Sequence, residues 1–166
     1  MLGTIGQFTS ILGVQFYSEY LKDVEVRTVM YYSTICSIIS SLSQYAMACR
    51  WNKQIGVNDI VFIVCTDTVF GIMGLAMNTL PTLALFAKVT PAKIEGTVFA
   101  FLTGTTNLAN SVLAPMVGVF INDKFAGVTA DDLSNYKKLC LISLATSFLG
   151  FFILPLIPRK ADINKW

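Results

Sequence analysis

The chain has no histidine, and its four cysteines, Cys36, Cys49, Cys65 and Cys140, fall in or at the ends of apolar runs with no CxxC pair among them. Zinc, haem and histidine-based catalysis lack obvious ligands, so neither a metal nor a cofactor is expected. The thiols read as small apolar packing residues. Charge is scarce too: 13% of the 166 residues are Asp, Glu, Lys or Arg, where a soluble domain usually carries about a quarter. The net charge of +2 and the want of a basic stripe interleaved with aromatics argue against nucleic acid as a partner. No carboxylate pair lies at depth in the apolar runs, which argues against an integral membrane enzyme. No cleavable targeting signal is expected, since Met1-Leu2-Gly3-Thr4 has no basic stretch ahead of its apolar run.

Apolar residues fill the space. They make up 54% of the chain, with a mean hydropathy of +0.64. Five stretches, 1–21, 28–49, 58–88, 91–121 and 139–157, are each long enough to span a hydrocarbon core of about 30 Å at about 1.5 Å per helical residue. The expected fold is all-α: a polytopic membrane helix bundle of about five transmembrane helices, forming one domain over 1–166. A buried soluble core would need polar outer faces that these stretches lack. The first stretch starts at Met1 with no polar anchor before it, so an upstream part is expected to be missing.

Basic residues at the helix ends set the expected orientation. Lys22, Arg27, Lys88, Lys93, Arg159, Lys160 and Lys165 fall on one side and Arg50, Lys53, Lys124, Lys137 and Lys138 on the other, a bias that favours a cytosolic C-terminus.

Each stretch carries small or polar residues at helical spacing: Gly13 and Tyr17; Ser33, Ser37, Ser40 and Gln44; Asp67, Gly71, Gly74 and Asn78; Gly104, Asn107, Ser111 and Gly118; Ser143, Ser147 and Gly150. Small residues let helix backbones approach where no hydrophobic effect drives association, so packing accounts for most of these stripes. Asp67 stands apart. It lies roughly 13 to 15 Å into its stretch, where inserting an aspartate costs about 2.5 to 3.5 kcal/mol unless it faces water or a partner. No Lys or Arg lies at comparable depth. Lipid disfavours the charged carboxylate, which suits a proton carrier, while a structural polar contact is the competing reading.

The third stretch, about 45 Å as a straight helix, must tilt or bend. Pro81 removes a backbone hydrogen bond and crowds the carbonyl of Met77, which predicts a kink near Asn78. In the turn that follows, Thr90 is expected as an N-cap, Pro91 as the first helical residue, and Glu95 in the first turn, where the helix dipole favours an anion.

Several motifs in order carry a resemblance. Gly56-Val57-Asn58-Asp59, Thr66-Asp67, the run Leu80-Pro81-Thr82-Leu83-Ala84-Leu85-Phe86-Ala87-Lys88, and above all Pro91 with Glu95-Gly96-Thr97-Val98-Phe99-Ala100 leading to Asn107 resemble the folate-biopterin transporter family of the major facilitator superfamily. Gly13-Val14-Gln15-Phe16-Tyr17, Val24-Glu25-Val26-Arg27, Gly127-Val128-Thr129 and Leu154-Pro155 to Pro158 fit the same pattern. The resemblance implies that these are the last five of twelve helices, a partial C-terminal half of the fold whose N-terminal half is absent. It also implies secondary active transport of a folate- or biopterin-like solute by alternating access, driven by protons, from a multi-pass position in a lipid bilayer. Asp67, Asn78 and Asn107 are then the expected substrate or proton pathway, and Arg27 and Glu95 belong to the expected gating loops. Phe70, Tyr17 or Phe99 are available to stack on a pterin ring. The alternative is a structural subunit of a larger membrane complex without transport activity.

Overall fold

The computed structural model describes residues 2–91, 93–129 and 131–157. Pro158, Arg159, Lys160 and Lys165 lie outside them, so the C-terminal share of the charge bias has no structural account. Among the described residues the fold is all-helical.

Five long helices and one short one follow in order. Helix α1 (2–21) is α-helical over Leu2–Phe16 and closes with a π turn, Tyr17–Leu21. Helix α2 is Val26–Ala48, and α3 is the single turn Trp51–Gln54. Helix α4 is Asp59–Val89, α5 covers 95–126, and α6 is Tyr136–Leu156. Of these, α4 and α6 are both long and apolar enough to cross a bilayer, with mean hydropathies of 2.1 and 2.2. Among the described residues, α1, α2 and α5 are not both long and apolar enough by the same measure, so two of the five expected spans meet it.

Two interruptions have a common cause. A π turn at Leu75–Thr79 precedes Pro81 in α4, and another at Ala109–Leu113 precedes Pro115 in α5. Proline has no N–H to offer the carbonyl four residues back, and the wider turn re-routes the bonding around that gap. The carbonyl of Asn78 accepts the Thr82 hydroxyl at 2.6 Å. Where the sequence predicts a kink near Asn78, the helix carries the π turn Leu75–Thr79.

The loop between α4 and α5 departs from expectation. Thr90 ends α4 with extended backbone (φ −84°, ψ 124°), and its hydroxyl donates back to the Phe86 carbonyl at 2.6 Å. It terminates one helix instead of capping the next. Helix α5 begins at Glu95 with Ile94 as its flanking residue and no side-chain cap, so Pro91 stands in the loop and not in the first helical turn. A hydroxyl committed to the preceding turn is no longer available to the following one.

The helices lie side by side in the order α6, α2, α4, α1. Small residues make the close approaches. A methyl group added at Gly13 would meet the Leu75 side chain at 3.0 Å and the Ile72 carbonyl at 3.3 Å, and one at Gly71 would meet Thr9 at 3.2 Å, so α1 and α4 pack nearly backbone to backbone. Between α2 and α6 the Ser41 and Ser147 hydroxyls lie 2.9 Å apart, and Tyr31 packs on Phe151 with ring centroids at 5.6 Å. Helix α5 is different. Its substantial contacts are at its ends, with α4 across the turn and with α6 through the last turn Asn122–Ala126. Residues 110–120 between them are all exposed.

The surface of 11450 Å² exceeds the roughly 8,100 Å² expected of a compact soluble monomer of this mass. Phe101, Met116, Phe120, Leu149 and Phe152 are among the large apolar side chains that contribute to it. Such a surface requires lipid or further protein against it.

Two predictions arise here. A methyl at Gly150 would stand 2.9 Å from Cγ2 of Thr34, whose rotamer is held by its hydroxyl donating to the Met30 carbonyl at 3.0 Å. Gly150→Ala should therefore destabilise the detergent-solubilised protein by about 1 to 3 kcal/mol. Thr34→Ser in the same chain, which deletes the obstructing methyl and keeps the hydroxyl, should recover most of that in thermal unfolding. In the loop before α6, the Asp132 carboxylate accepts from the Ser134 N–H at 2.9 Å, which holds its pKa below the ordinary carboxylate value. A depressed carboxylate stabilises its turn above its unfolded pKa and loses that contribution as pH falls through the folded one. Amide exchange at Ser134, after correction for intrinsic rates, should show less protection at acid pH, and Asp132→Ala should reproduce the loss at neutral pH.

Candidate functional site

The α2 serines and the far half of α4 meet across a cavity of about 230 Å³. Helical spacing places Ser33, Ser37 and Ser40 on one face of α2, and that face, with Cys36 and Ser41, forms one wall. Phe70, Met73, Gly74 and Asn78 of α4 form the other. Gly74 has open space where a Cβ would stand, which widens the wall, and the π turn Leu75–Thr79 carries Asn78 to its rim. Cys36 and Met77 bring their sulfurs to 4.0 Å. The cavity thus offers four hydroxyls, one carboxamide and one aromatic ring.

The expected site residues separate into groups. Asn78 lines the cavity. Asp67 is exposed and not part of its wall, but at 100° per residue over the α-helical Asp59–Gly74 it falls within about 20° of Gly74, so that face of α4 continues to it. Thr66 beside it is already satisfied, its hydroxyl donating to the carbonyls of Phe62 at 2.8 Å and Ile63 at 3.0 Å. Asn107 is exposed on α5, outside the cavity wall. Of the three rings expected to stack, Phe70 lines the cavity; Tyr17 and Phe99 do not.

Arg27 lies at the opposite end of α2 and lines a separate hollow of about 390 Å³ with Tyr31, Tyr32 and Phe151. Glu95 is the exposed first residue of α5. The ion pairs among the described residues are Arg50 and Lys53 with Asp59, so Arg27 and Glu95 are not joined by one. Sequence reasoning missed Ser41, Cys36 and Met73 as cavity residues. Ser41, four residues beyond Ser37, keeps the helical spacing and could have been found by it, whereas the sulfur residues read as ordinary packing.

The sequence matches the BT1 family over residues 1–165. The chain belongs to the BT1 family. It is similar to the folate-biopterin transporter of Synechocystis sp., at 30% identity over 160 residues that cover 95% of this chain and 32% of that protein. The probable folate-biopterin transporter 6 of Arabidopsis thaliana is 28% identical over 96% of this chain and 31% of its own length. Folate transporter 1 of Plasmodium falciparum is 23% identical over 98% of this chain and 32% of its own. The chain spans about a third of the length of the curated relatives it matches. No solved structure matches it. BT1 membership agrees with the resemblance drawn from the motifs around Pro91 to Asn107, and it assigns the chain to a membrane.

Proposed function

We propose that this BT1 chain is part of a secondary active transporter for a folate- or biopterin-like solute, working by alternating access and coupled to protons. In this reading the five long helices each cross the bilayer, the chain is multi-pass, and the cavity between α2 and α4 is one wall of the solute path. An N-terminal transporter half, absent from this chain, supplies the facing wall. No step of this function requires covalent chemistry, and the chain is not read as an enzyme.

The observation that carries the reading is the chemistry of that wall. A pterin is a flat fused ring with donors and acceptors around its edge. Ser33, Ser37, Ser40, Ser41 and the Asn78 amide match the edge, and the Phe70 ring can take the face. Asp67, one helical turn beyond Phe70 on the same side of α4, is the proton site; Asn107 faces the path once the two halves close. Arg27, in the first turn of α2, and Glu95, in the first turn of α5, lie at the same end of the bundle and gate that side.

In a full-length version, Asn78→Ala and Ser37→Leu should each raise the half-saturating pterin concentration, together by about tenfold or more, as lost hydrogen bonds of about 0.5 to 1.5 kcal/mol each would. Thr105→Val should not, because that hydroxyl donates to its own helix at the Phe101 carbonyl, 2.8 Å away. Unchanged saturation in the first two variants would remove the cavity from the path. The exposed middle of α5 also fits a structural subunit that packs against other proteins. Stable co-purification with unrelated membrane subunits, without pterin uptake, would favour that second reading.

A further inference from the structure

At the end of the bundle where α2 stops and α4 and α6 begin, a second cavity of about 220 Å³ opens. Arg50, Asp59, Ser134 and Lys137 line its polar side, and Met47 and Leu133 its apolar side. The local chain builds it deliberately. Arg50 takes left-handed backbone (φ 63°, ψ 25°), an uncommon conformation for a residue with a side chain, to turn the chain sharply out of α2. Asn58 caps α4 by accepting from the Ile60 N–H at 3.0 Å, and Asn52, only 2% exposed, donates to the Val57 carbonyl at 3.3 Å and to one Asp59 oxygen.

Charge is unbalanced there. The second Asp59 oxygen faces both Arg50 and Lys53, each at 3.8 Å, and Lys137 adds another cation across the cavity. Its lining carries two cations, Arg50 and Lys137, against one carboxylate, Asp59; Lys53 shares Asp59 from outside the lining, and the Asp132 carboxylate in the adjoining loop is engaged by the Ser134 N–H. The pairs are loose, and the Arg50 and Lys53 side chains remain 67% and 57% exposed, so their donors are available to a further anion.

Aromatic residues mark the depth. Trp51 is half exposed, with the Tyr45 ring edge-on at 6.5 Å, and Tyr136 stands at the cavity. Trp and Tyr at helix ends collect at the level of lipid headgroups, and basic pockets between helix ends at that level recognise anionic headgroups. A soluble anion has no use for the apolar side formed by Met47 and Leu133; a phospholipid, with phosphate and acyl chain on one molecule, fits both. We infer that this cavity binds the phosphate headgroup of an anionic membrane phospholipid. The inference rests on the membrane-spanning reading given above.

The test is titration of the 166-residue chain in detergent with phosphatidylglycerol, phosphatidylcholine of the same acyl chains, or inorganic phosphate, with bound molecules counted by native mass spectrometry. Phosphatidylglycerol should bind about tenfold more tightly than phosphatidylcholine, a difference of about 1.4 kcal/mol. Arg50→Gln with Lys137→Gln should erase that preference, while Lys88→Gln with Lys93→Gln, at the opposite end, should keep it. Asp59→Asn should strengthen phosphatidylglycerol binding several-fold, because it removes the competing carboxylate while retaining an acceptor for Asn52; this gain cannot come from misfolding. Equal binding of the two lipids, or a preference that survives the Arg50 and Lys137 changes, overturns the headgroup site and leaves the membrane reading intact. Inorganic phosphate that displaces bound lipid equally from both overturns the lipid assignment in favour of a soluble anion. Binding of neither lipid likewise overturns the headgroup site and leaves the membrane reading intact.

Discussion

Asp67→Asn, introduced into a full-length version, is expected to abolish the pH dependence of pterin uptake while leaving the amount of protein in the membrane unchanged. The substitution keeps the size and hydrogen-bonding reach of the side chain and removes its ability to exchange a proton. Asp67 lies eight residues beyond Asp59, about 12 Å along α4, at a depth where a carboxylate without a partner costs about 2.5 to 3.5 kcal/mol. It is exposed, and the ion pairs among the described residues do not include it. Among the described residues no ion pair accounts for a carboxylate at that position. The neutral amide should therefore insert at least as well as the acid, so a loss of coupling would be separable from a loss of protein. Uptake whose pH profile matches the parent protein would exclude Asp67 as the proton site. So would a profile altered only in proportion to reduced membrane abundance.

The second large effect concerns the chain by itself. Reconstituted alone into liposomes, the 166 residues are expected to give no saturable pterin uptake, and co-reconstitution with the proposed facing half should restore it. A solute path that alternates between two openings needs two walls that rock against each other. Here the wall formed by α2 and α4 opens outward, the middle of α5 has no protein against it, and a large share of the surface is apolar. The chain spans about a third of the length of its curated relatives, which leaves ample sequence for the facing wall. Saturable uptake by the isolated chain would refute the proposal that it needs a partner half.

Much of the helical content is plain in the residues, because lipid imposes a simple requirement. Backbone polar groups without water must bond within the segment, so long apolar runs become helices with little regard to their neighbours. The two mid-helix π turns, Leu75–Thr79 and Ala109–Leu113, also trace to single residues, Pro81 and Pro115, whose missing N–H groups are local facts. The α4 to α5 loop was misread because Thr90 has two carbonyl and amide neighbours to choose between, and the choice of the Phe86 carbonyl depends on where α4 stops. Of the stripes of small residues, Gly13, Gly71 and Gly150 touch neighbouring helices closely, whereas Gly104 and Gly118 have open space beside them. Spacing cannot separate these cases, since a glycine that admits another helix and one that faces none have the same period.

The residues by themselves determined the all-helical class, the approximate helix ends, the place of Asp67 within an apolar helix and the family, because each depends on local composition or on motifs contiguous in the chain. Only tertiary structure decided which polar faces come together. It brought Ser33, Ser37, Ser40 and Ser41 to Asn78 and left Asn107 apart, and it gathered Arg50, Asp59 and Lys137 around one hollow. The physical reason is that helix packing joins residues tens of positions apart through small differences in contact, and those differences are a property of pairs of surfaces instead of any single run of sequence.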